Sequence, residues 1–376
     1  MIYLDNAATS FHKPPSVINA VNFALKNYSA NPGRSGHKAS IAASVAVFNT
    51  REKLSSMFGA DGAENVVFTV NNTYALNCVI KGILHRGDHV VTSDLEHNAV
   101  MRPLEKMRRD GIITYSTAVT EADDDLTVQN FKNLIKPETR LVVCTHASNV
   151  LGTVLPIEKI GRMCKQMGVL FAVDAAQSAG VLDIDMQKMN IDFLCIAPHK
   201  GLYAPMGTGV LIARRPIENT ITEGGTGSAS LSLIQPDTMP EQLESGTVNV
   251  PGIYGISAGA DFVIRKTPFK IYSYEFSLLT HLYSRLRRNK KIILYSGPPV
   301  FGKNAPVLSF NVEGMPSESV AEYLNSKNIA VRAGFHCAPS AHKKAGTLED
   351  GTVRVSFSAF NTKNDIDFLV NSLKFL

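Results

Sequence analysis

The chain has 376 residues, 44% of them hydrophobic and 19% charged, with a formal net charge of +5. This is the balance of an ordinary globular protein, with length enough for one large domain and a smaller one attached. The mild charge gives no nucleic-acid footprint, and no apolar run reaches the roughly 18 residues that a bilayer crossing needs. The densest basic run, "RLRRNKK" (285–291), is read as a solvated helix end. "MIYLDNAATS" has no basic leader ahead of an apolar core, so no signal peptide is expected. Cysteines 78, 144, 164, 195 and 337 are odd in number and lack CxxC spacing. Scattered cysteines of this kind point to reduced thiols and a cytoplasmic protein.

In chain order, residues 41–58 carry apolar positions at helical spacing. "NVVFTV" (65–70) is strand-like and precedes a helix starting near Thr73. Strand-like runs follow at 89–94, 112–119, 141–147, 169–176, 191–197 and 209–214. Several are continuous apolar, β-branched-rich runs without alternation, the pattern of strands buried on both faces. Strands alternating with helices imply an α/β fold with a doubly wound, mostly parallel sheet. Ligands of such sheets sit beyond the strand carboxyl ends. After about residue 260 the pattern changes. A helical stretch ends in the basic run, "GPP" (297–299) marks a turn, and strands at 307–313, 329–334 and 352–360 surround a helix near 316–327. A last helix opens at Thr362, with Asp365 in capping-box spacing. This is a smaller α+β domain. The expected division is 15–260 for the large domain, and 1–14 with 261–376 for the small one.

Polar and ionisable residues gather after five of these strands. Asn71-Asn72-Thr73 opens a helix, whose free N–H groups suit a phosphate. Glu96-His97-Asn98 follows the next strand, Asn149 with Gly152-Thr153 the "VVCTHAS" strand, and Asp174 with Gln177 the "VLFAV" strand. "IDFLCIA" ends on Pro198-His199-Lys200. Singly, these are helix caps, surface histidines and a solvated strand end. A carboxylate closing a strongly apolar strand, though, needs a cationic partner if buried. Together they match pyridoxal 5'-phosphate, which needs a lysine for a Schiff base, a carboxylate on the pyridine nitrogen and a cup for the phosphate. A partly desolvated Lys200 near other cations sheds its proton and becomes nucleophilic. His97 is placed to lie on the ring.

"LDNAAT", "HASNVLGT", "FAVDAAQSAG" and "APHKGLYAPMGTG" resemble the class V aminotransferase family of fold-type I pyridoxal phosphate enzymes, over nearly the whole chain and in order. "VRAGFHCAPSAH" (331–342) is similar to the active-site segment of cysteine desulfurases. Its compact Arg332-x-Gly334-x-x-Cys337-Ala338-Pro339 form is closer to the group II desulfurases and selenocysteine lyases. The resemblance implies a large domain with a seven-stranded sheet between helices, and a small domain carrying the cysteine loop. It implies Lys200 as the Schiff-base lysine, Asp174 on the pyridine nitrogen, Gln177 on the ring hydroxyl and His97 stacked on the ring. Asn72, Thr73 and His199 would contact the phosphate. Thr247, in "ESGTVNVPG", would reach the phosphate of a neighbouring subunit, hence a homodimer with shared sites. Arg354, helped by Asn149, would bind the α-carboxylate of L-cysteine as a bidentate fork. Cys337 would accept sulfur as a persulfide, for a sulfur-acceptor protein and iron–sulfur cluster assembly. Two positions depart from the family pattern. Ala197 stands where relatives often carry a phosphate-binding serine, and Asn71-Asn72 where many have Gly-Thr.

Other readings keep parts of this constellation. A selenocysteine lyase uses the same residues. An aminotransferase, or a lyase on another amino acid, keeps Lys200, Asp174 and Arg354 without needing Cys337. A cofactor-free Schiff-base lysine leaves the phosphate cup without a purpose. A metal module on His336, Cys337 and His342 lacks a fourth ligand at an obvious spacing, so no metal is expected.

Overall fold

The computed structural model describes every residue except Arg34 and Ala229. In chain order the elements are β1 (Ile2–Tyr3), α1 (Pro15–Asn27), α2 (Lys38–Phe58), β2 (Val66–Thr69), α3 (Asn72–Ile83), β3 (His89–Ser93), α4 (Asn98–Arg109), β4 (Thr114–Ala118), α5 (Asp124–Leu134), β5 (Thr139–Thr145), α6 (Ile157–Met167), β6 (Leu170–Asp174), β7 (Phe193–Ile196) and β8 (Gly209–Ala213). There follow α7 (Val250–Lys266), α8 (Pro268–Leu286), β9 (Ile292–Leu294), β10 (Val307–Val312), α9 (Ser317–Ser326), β11 (Ile329–Ala330), α10 (Pro339–Ala345), β12 (Val353–Ser356) and α11 (Lys363–Leu373).

Seven strands form one sheet in the order β2-β8-β7-β6-β5-β3-β4. All run parallel except β8, which is antiparallel to both its neighbours. Apolar residues on alternate strand positions feed two cores. Val67, Val90, Leu141, Val143, Phe193 and Leu211 face one side. Phe68, Val91, Val142, Phe171, Val173, Leu194 and Ile212 face the other. Burying each such side chain contributes about 1.5–3 kcal/mol, which explains why these strands read as unbroken apolar runs. The sheet is the α/β, mostly parallel one the sequence implies.

A third core joins Leu4, Leu278, Leu282, Leu308, Phe310, Val353, Val355 and Leu369. It lies against the antiparallel sheet β12-β10-β9 and the parallel pair β1-β11. The first residues of the chain thus pack with the last hundred. The Thr362–Asp365 capping box forms as the spacing predicts.

Several runs are shorter than their sequence suggests. "VLFAVDAA" stops as a strand at Asp174, where Ser178 N–H turns back to the Ala175 carbonyl. "IAVRAG" pairs only through Ile329–Ala330, and "TVRVSFSAF" only through Val353–Ser356. β9 and α10 carry no clear periodic signal, the first being three residues long and the second seven.

Candidate active site

The carboxyl ends of β3, β5, β6 and β7 and the first turn of α3 open into one cleft of about 240 Å³. Asn72, Thr73, His97, Asn149, Asp174, Gln177, His199 and Lys200 line it from the large sheet's side. Arg332, His336, Cys337 and Arg354 line it from the C-terminal side. Every residue to which the resemblance assigns a role lines this cleft except Thr247. Thr247 is exposed, and its recorded contact is Asn31 Nδ2 of the same chain at 3.5 Å.

The sheet wall is built from strand ends and helix caps. Asp174 ends β6 and is 2% exposed. Its Oδ1 accepts from Asn72 Nδ2 at 2.8 Å and from Ala176 N–H at 3.0 Å. Oδ2 has no donor among the described residues. The Asn72 side chain therefore braces the carboxylate, and the helix it opens is capped by Asn71, whose side chain accepts from Tyr74 N–H. Thr73, next in that first turn, is exposed to the cleft. His97 caps α4, its Nδ1 accepting from Ala99 N–H at 3.0 Å. Burial pushes its pKa down; Asp174 pulls it up, and Lys200 and Arg332 push it further down. Behind it the buried Glu96 takes hydrogen bonds from the Ser93 hydroxyl and from Thr145 N–H (2.9 Å). Burial raises that carboxyl to about 8, so it is largely protonated at neutral pH.

Lys200 sits in the turn after β7, its N–H bonded to the Ala197 carbonyl. Burial lowers its pKa to about 8; Asp174 opposes the shift and Arg354 and Arg332 add to it. About a tenth is then the free amine at pH 7 and about half at pH 8, the form a nucleophile needs. His199 is lowered to about 4, by burial and then by Lys200 and Lys13. Its Nδ1 lies 3.0 Å from Thr9 Oγ1, and its carbonyl accepts from Ser10 N–H, Ser10 Oγ, Thr9 Oγ1 and Lys13 Nζ. The N-terminal segment thus clamps the lysine turn from behind. Gln177 Nε2 donates to the Ala7 carbonyl of that segment.

The opposite wall carries a buried guanidinium. Arg354, 1% exposed, bonds Asp5 Oδ1 at 2.7 Å and the Asn149 carbonyl at 3.1 Å. Among the described residues its buried Nε has no partner, a donor suited to an anion such as a carboxylate. Asp5 and Arg332 were absent from the sequence-level site. Asp5 stood inside "LDNAAT", but its partner lies 349 positions on. Asn149 gives its side-chain amide to the His336 carbonyl at 2.8 Å, so it holds the cysteine loop. Cys337 is exposed on the cleft, whereas the other four cysteines are buried. Burial pushes the Cys78 thiol up to about 12 and raises Cys144, Cys164 and Cys195 as well. Among the described residues no three His, Cys, Asp or Glu side chains group as a metal site. No helix of the described residues is long and apolar enough to cross a membrane.

Residues 2–369 match the family model for class V aminotransferases. A probable cysteine desulfurase of Methanothermobacter thermautotrophicus is 32% identical over 384 residues, covering 99% of this chain and 94% of that protein. One from Synechocystis sp. is 30% identical, covering 100% and 90%. Among solved structures, an apo cysteine desulfurase from Thermococcus onnurineus superposes with a TM-score of 0.90 at 33% identity, covering 100% and 94%. The cysteine desulfurase CsdA of Escherichia coli, in an S-sulfonic acid form, superposes with a TM-score of 0.88 at 28% identity, covering 99% and 94%.

Proposed function

The chain belongs to the class V aminotransferase family, among its cysteine desulfurases, and from that premise we propose that it is a pyridoxal phosphate enzyme converting L-cysteine to L-alanine with the sulfur passing to Cys337. The cleft fits that cofactor. Asp174 offers a buried carboxylate braced on Oδ1 and without a donor on Oδ2, the acceptor a pyridine N–H requires. The first turn of α3 offers backbone N–H groups and the Thr73 hydroxyl for a phosphate. Ala197, buried beside Lys200, supplies no hydroxyl there.

When bound, the cofactor supplies the electron sink that lets the substrate Cα proton leave. Lys200 is its anchoring amine and, when released, the base that takes that proton; a pKa near 8 suits both tasks. Arg354, fixed by Asp5 and the Asn149 carbonyl, holds the substrate carboxylate. His97, kept neutral by burial, lies along the cleft wall. The Cys337 thiolate attacks the substrate sulfur. An S–S bond forms and the substrate Cβ–S bond breaks. The electron pair stays on Cβ, which is protonated, and Lys200 returns a proton to Cα to give alanine.

The observation that carries this reading is the single exposed thiol, Cys337, sharing one cleft with Lys200 and Arg354. The test is alanine and sulfide release from L-cysteine with a reductant, for wild type and Cys337→Ala. The expected result is a yellow variant whose turnover falls by at least about 10²-fold. Unchanged turnover overturns the persulfide role, and turnover with selenocysteine alone assigns a lyase. The same reading includes a homodimer in which Thr247 reaches across, a cytoplasmic location, a protein sulfur acceptor and iron–sulfur cluster assembly. Thr247 supports the first by lying exposed outside its own cleft. A monomer in sedimentation velocity would remove it.

A further inference from the structure

The segment that presents Cys337 is a tight turn. Ala338 N–H bonds the Phe335 carbonyl at 3.0 Å, and the two central residues, His336 and Cys337, have φ of +49° and +55°. Two positive φ values are the pattern of a type I′ turn, which favours Gly, Asn or Asp at its centre. Histidine and cysteine hold that conformation only if their surroundings impose it. Two of the holding bonds come from the large sheet's side, Asn149 Nδ2 to the His336 carbonyl and Asn98 N–H to the Cys337 carbonyl (2.7 Å). The third restraint lies beneath the turn. His336, 4% exposed, lies edge to edge with the fully buried His342, ring centroids 5.5 Å apart and planes within 7°.

The ring nitrogens form one line of contacts. His336 Nε2 lies 3.4 Å from the Arg332 carbonyl, His336 Nδ1 3.3 Å from His342 Nε2, and His342 Nδ1 2.7 Å from Thr347 Oγ1. A carbonyl only accepts, so His336 Nε2 carries a hydrogen. Burial pushes the His336 pKa to about 3 and lowers that of His342, so both rings are neutral. His336 Nδ1 is then a bare acceptor, His342 Nε2 must donate to it, and His342 Nδ1 must accept from the Thr347 hydroxyl. If that hydroxyl turned to its other neighbour, the His342 carbonyl at 3.4 Å, the proton order would reverse. The Arg332 carbonyl would then face a lone pair. This tautomer set gives each of the three ring contacts one donor and one acceptor, with the Thr347 hydroxyl completing the line, while the Phe335 and Thr347 carbonyls also bear on the His342 ring.

We propose that His342 and Thr347 are positioning residues for the sulfur-accepting thiol: the line Thr347–His342–His336–Arg332 carbonyl locks the turn that aims Cys337 into the cleft. The inference rests on Cys337 being the acceptor, and its test separates the two. Thr347→Val keeps the side-chain shape and removes the hydroxyl that completes the line; Thr347→Ser restores it. Three quantities are read on the cofactor-loaded protein: amide hydrogen exchange of residues 332–338, kcat and KM for L-cysteine, and the cofactor absorbance with the melting profile. In Thr347→Val we expect faster exchange in that segment, kcat down about tenfold for a thiol displaced by a fraction of an ångström, KM unchanged and absorbance intact. Thr347→Ser returns both exchange and kcat. Unchanged exchange in Thr347→Val overturns the lock whatever the kinetics, and a joint loss of KM, absorbance and melting temperature that serine does not rescue overturns it in favour of general packing. Should Cys337→Ala still release alanine at the wild-type rate, the acceptor reading falls, and with it the catalytic purpose of the lock.

Discussion

The two walls of the cleft are held by different physics. On the lysine wall, Asp174, His97, Asn149 and Lys200 follow strands of one sheet whose neighbours fix their spacing. On the cysteine wall, the thiol sits on a turn in left-handed backbone, tied down by side-chain and backbone bonds from residues scattered over the chain. One wall is rigid because its core is apolar and continuous, the other because several modest hydrogen bonds act together against strain. The sheet wall should therefore fail through its chemistry, and the turn wall through its geometry.

The largest effect falls on the lysine. Lys200→Met is expected to lower alanine formation by at least about 10³-fold, with loss of the yellow chromophore, and the folded sheet unchanged by circular dichroism. A titration adds the sign. The lysine pKa is lowered in the fold from 10.5 to about 8, so the protonated form disfavours folding. That penalty is complete below about pH 8 and fades as the pH rises towards 10.5. Cofactor-free wild type should gain resistance to urea between pH 8 and 10, and Lys200→Met should gain less. Lys13, lowered by burial to about 8 as well, keeps part of the slope in the variant. Equal slopes in the two proteins would mean that Lys200 is not desolvated.

The next effect probes what supports the turn. Gly334 and Thr352 exchange backbone bonds at 3.1 and 3.0 Å, just before the cysteine turn. Gly351 has φ +59°, and a Cβ there would meet Gly334 Cα at 2.7 Å, backbone against backbone. Gly351→Ala should cost about 2–4 kcal/mol in urea unfolding, since neither chain can yield, and it should depress kcat by displacing the turn. Gly346, at φ +69° with nothing within 4 Å of its Cβ position, should lose only about 1 kcal/mol as alanine, from the left-handed backbone alone. Equal losses at the two sites would break the claim that the Gly334–Gly351 approach supports the cysteine wall.

The same contrast decides what was legible in the sequence. Lys200, Asp174, His97 and Thr73 could be found because each follows a run recognisable by continuous β-branched and apolar residues, and parallel sheets gather such ends. Cys337 was located by the resemblance of its segment, while its geometry was hidden. "FHCA" contains no Gly, Asn or Asp to announce a turn with two positive φ values. The bond from Asp5 to Arg354 and the grip of Thr9, Ser10 and Lys13 on the His199 carbonyl join residues far apart in sequence. Nothing local encodes such contacts. The role first given to the Asn72 side chain illustrates the same limit. The resemblance implies a phosphate contact, whereas β6, three places from β2 in the sheet, brings Asp174 Oδ1 to 2.8 Å from its amide.

The smallest predicted effect is the sharpest test of the contrast, because one exchange should change sign between the walls. Cys337→Ala and Cys337→Gly both remove the thiol, so neither turns over, and their difference isolates the backbone. At φ +55° an L side chain is strained and glycine is not. Cys337→Gly should therefore be more stable than Cys337→Ala by about 1 kcal/mol, even after glycine's extra freedom in the unfolded chain is counted. On the lysine wall, Ala197 is buried at the end of β7 with ordinary negative φ. There Ala197→Gly should lose about 0.5–1 kcal/mol, since glycine brings only unfolded-state entropy and lost packing. Urea midpoints of these variants and wild type decide it. If glycine destabilises at both positions, the turn at Cys337 stores no strain, and the bonds from Asn149, Asn98 and the histidine pair are holding a conformation the chain would adopt unaided.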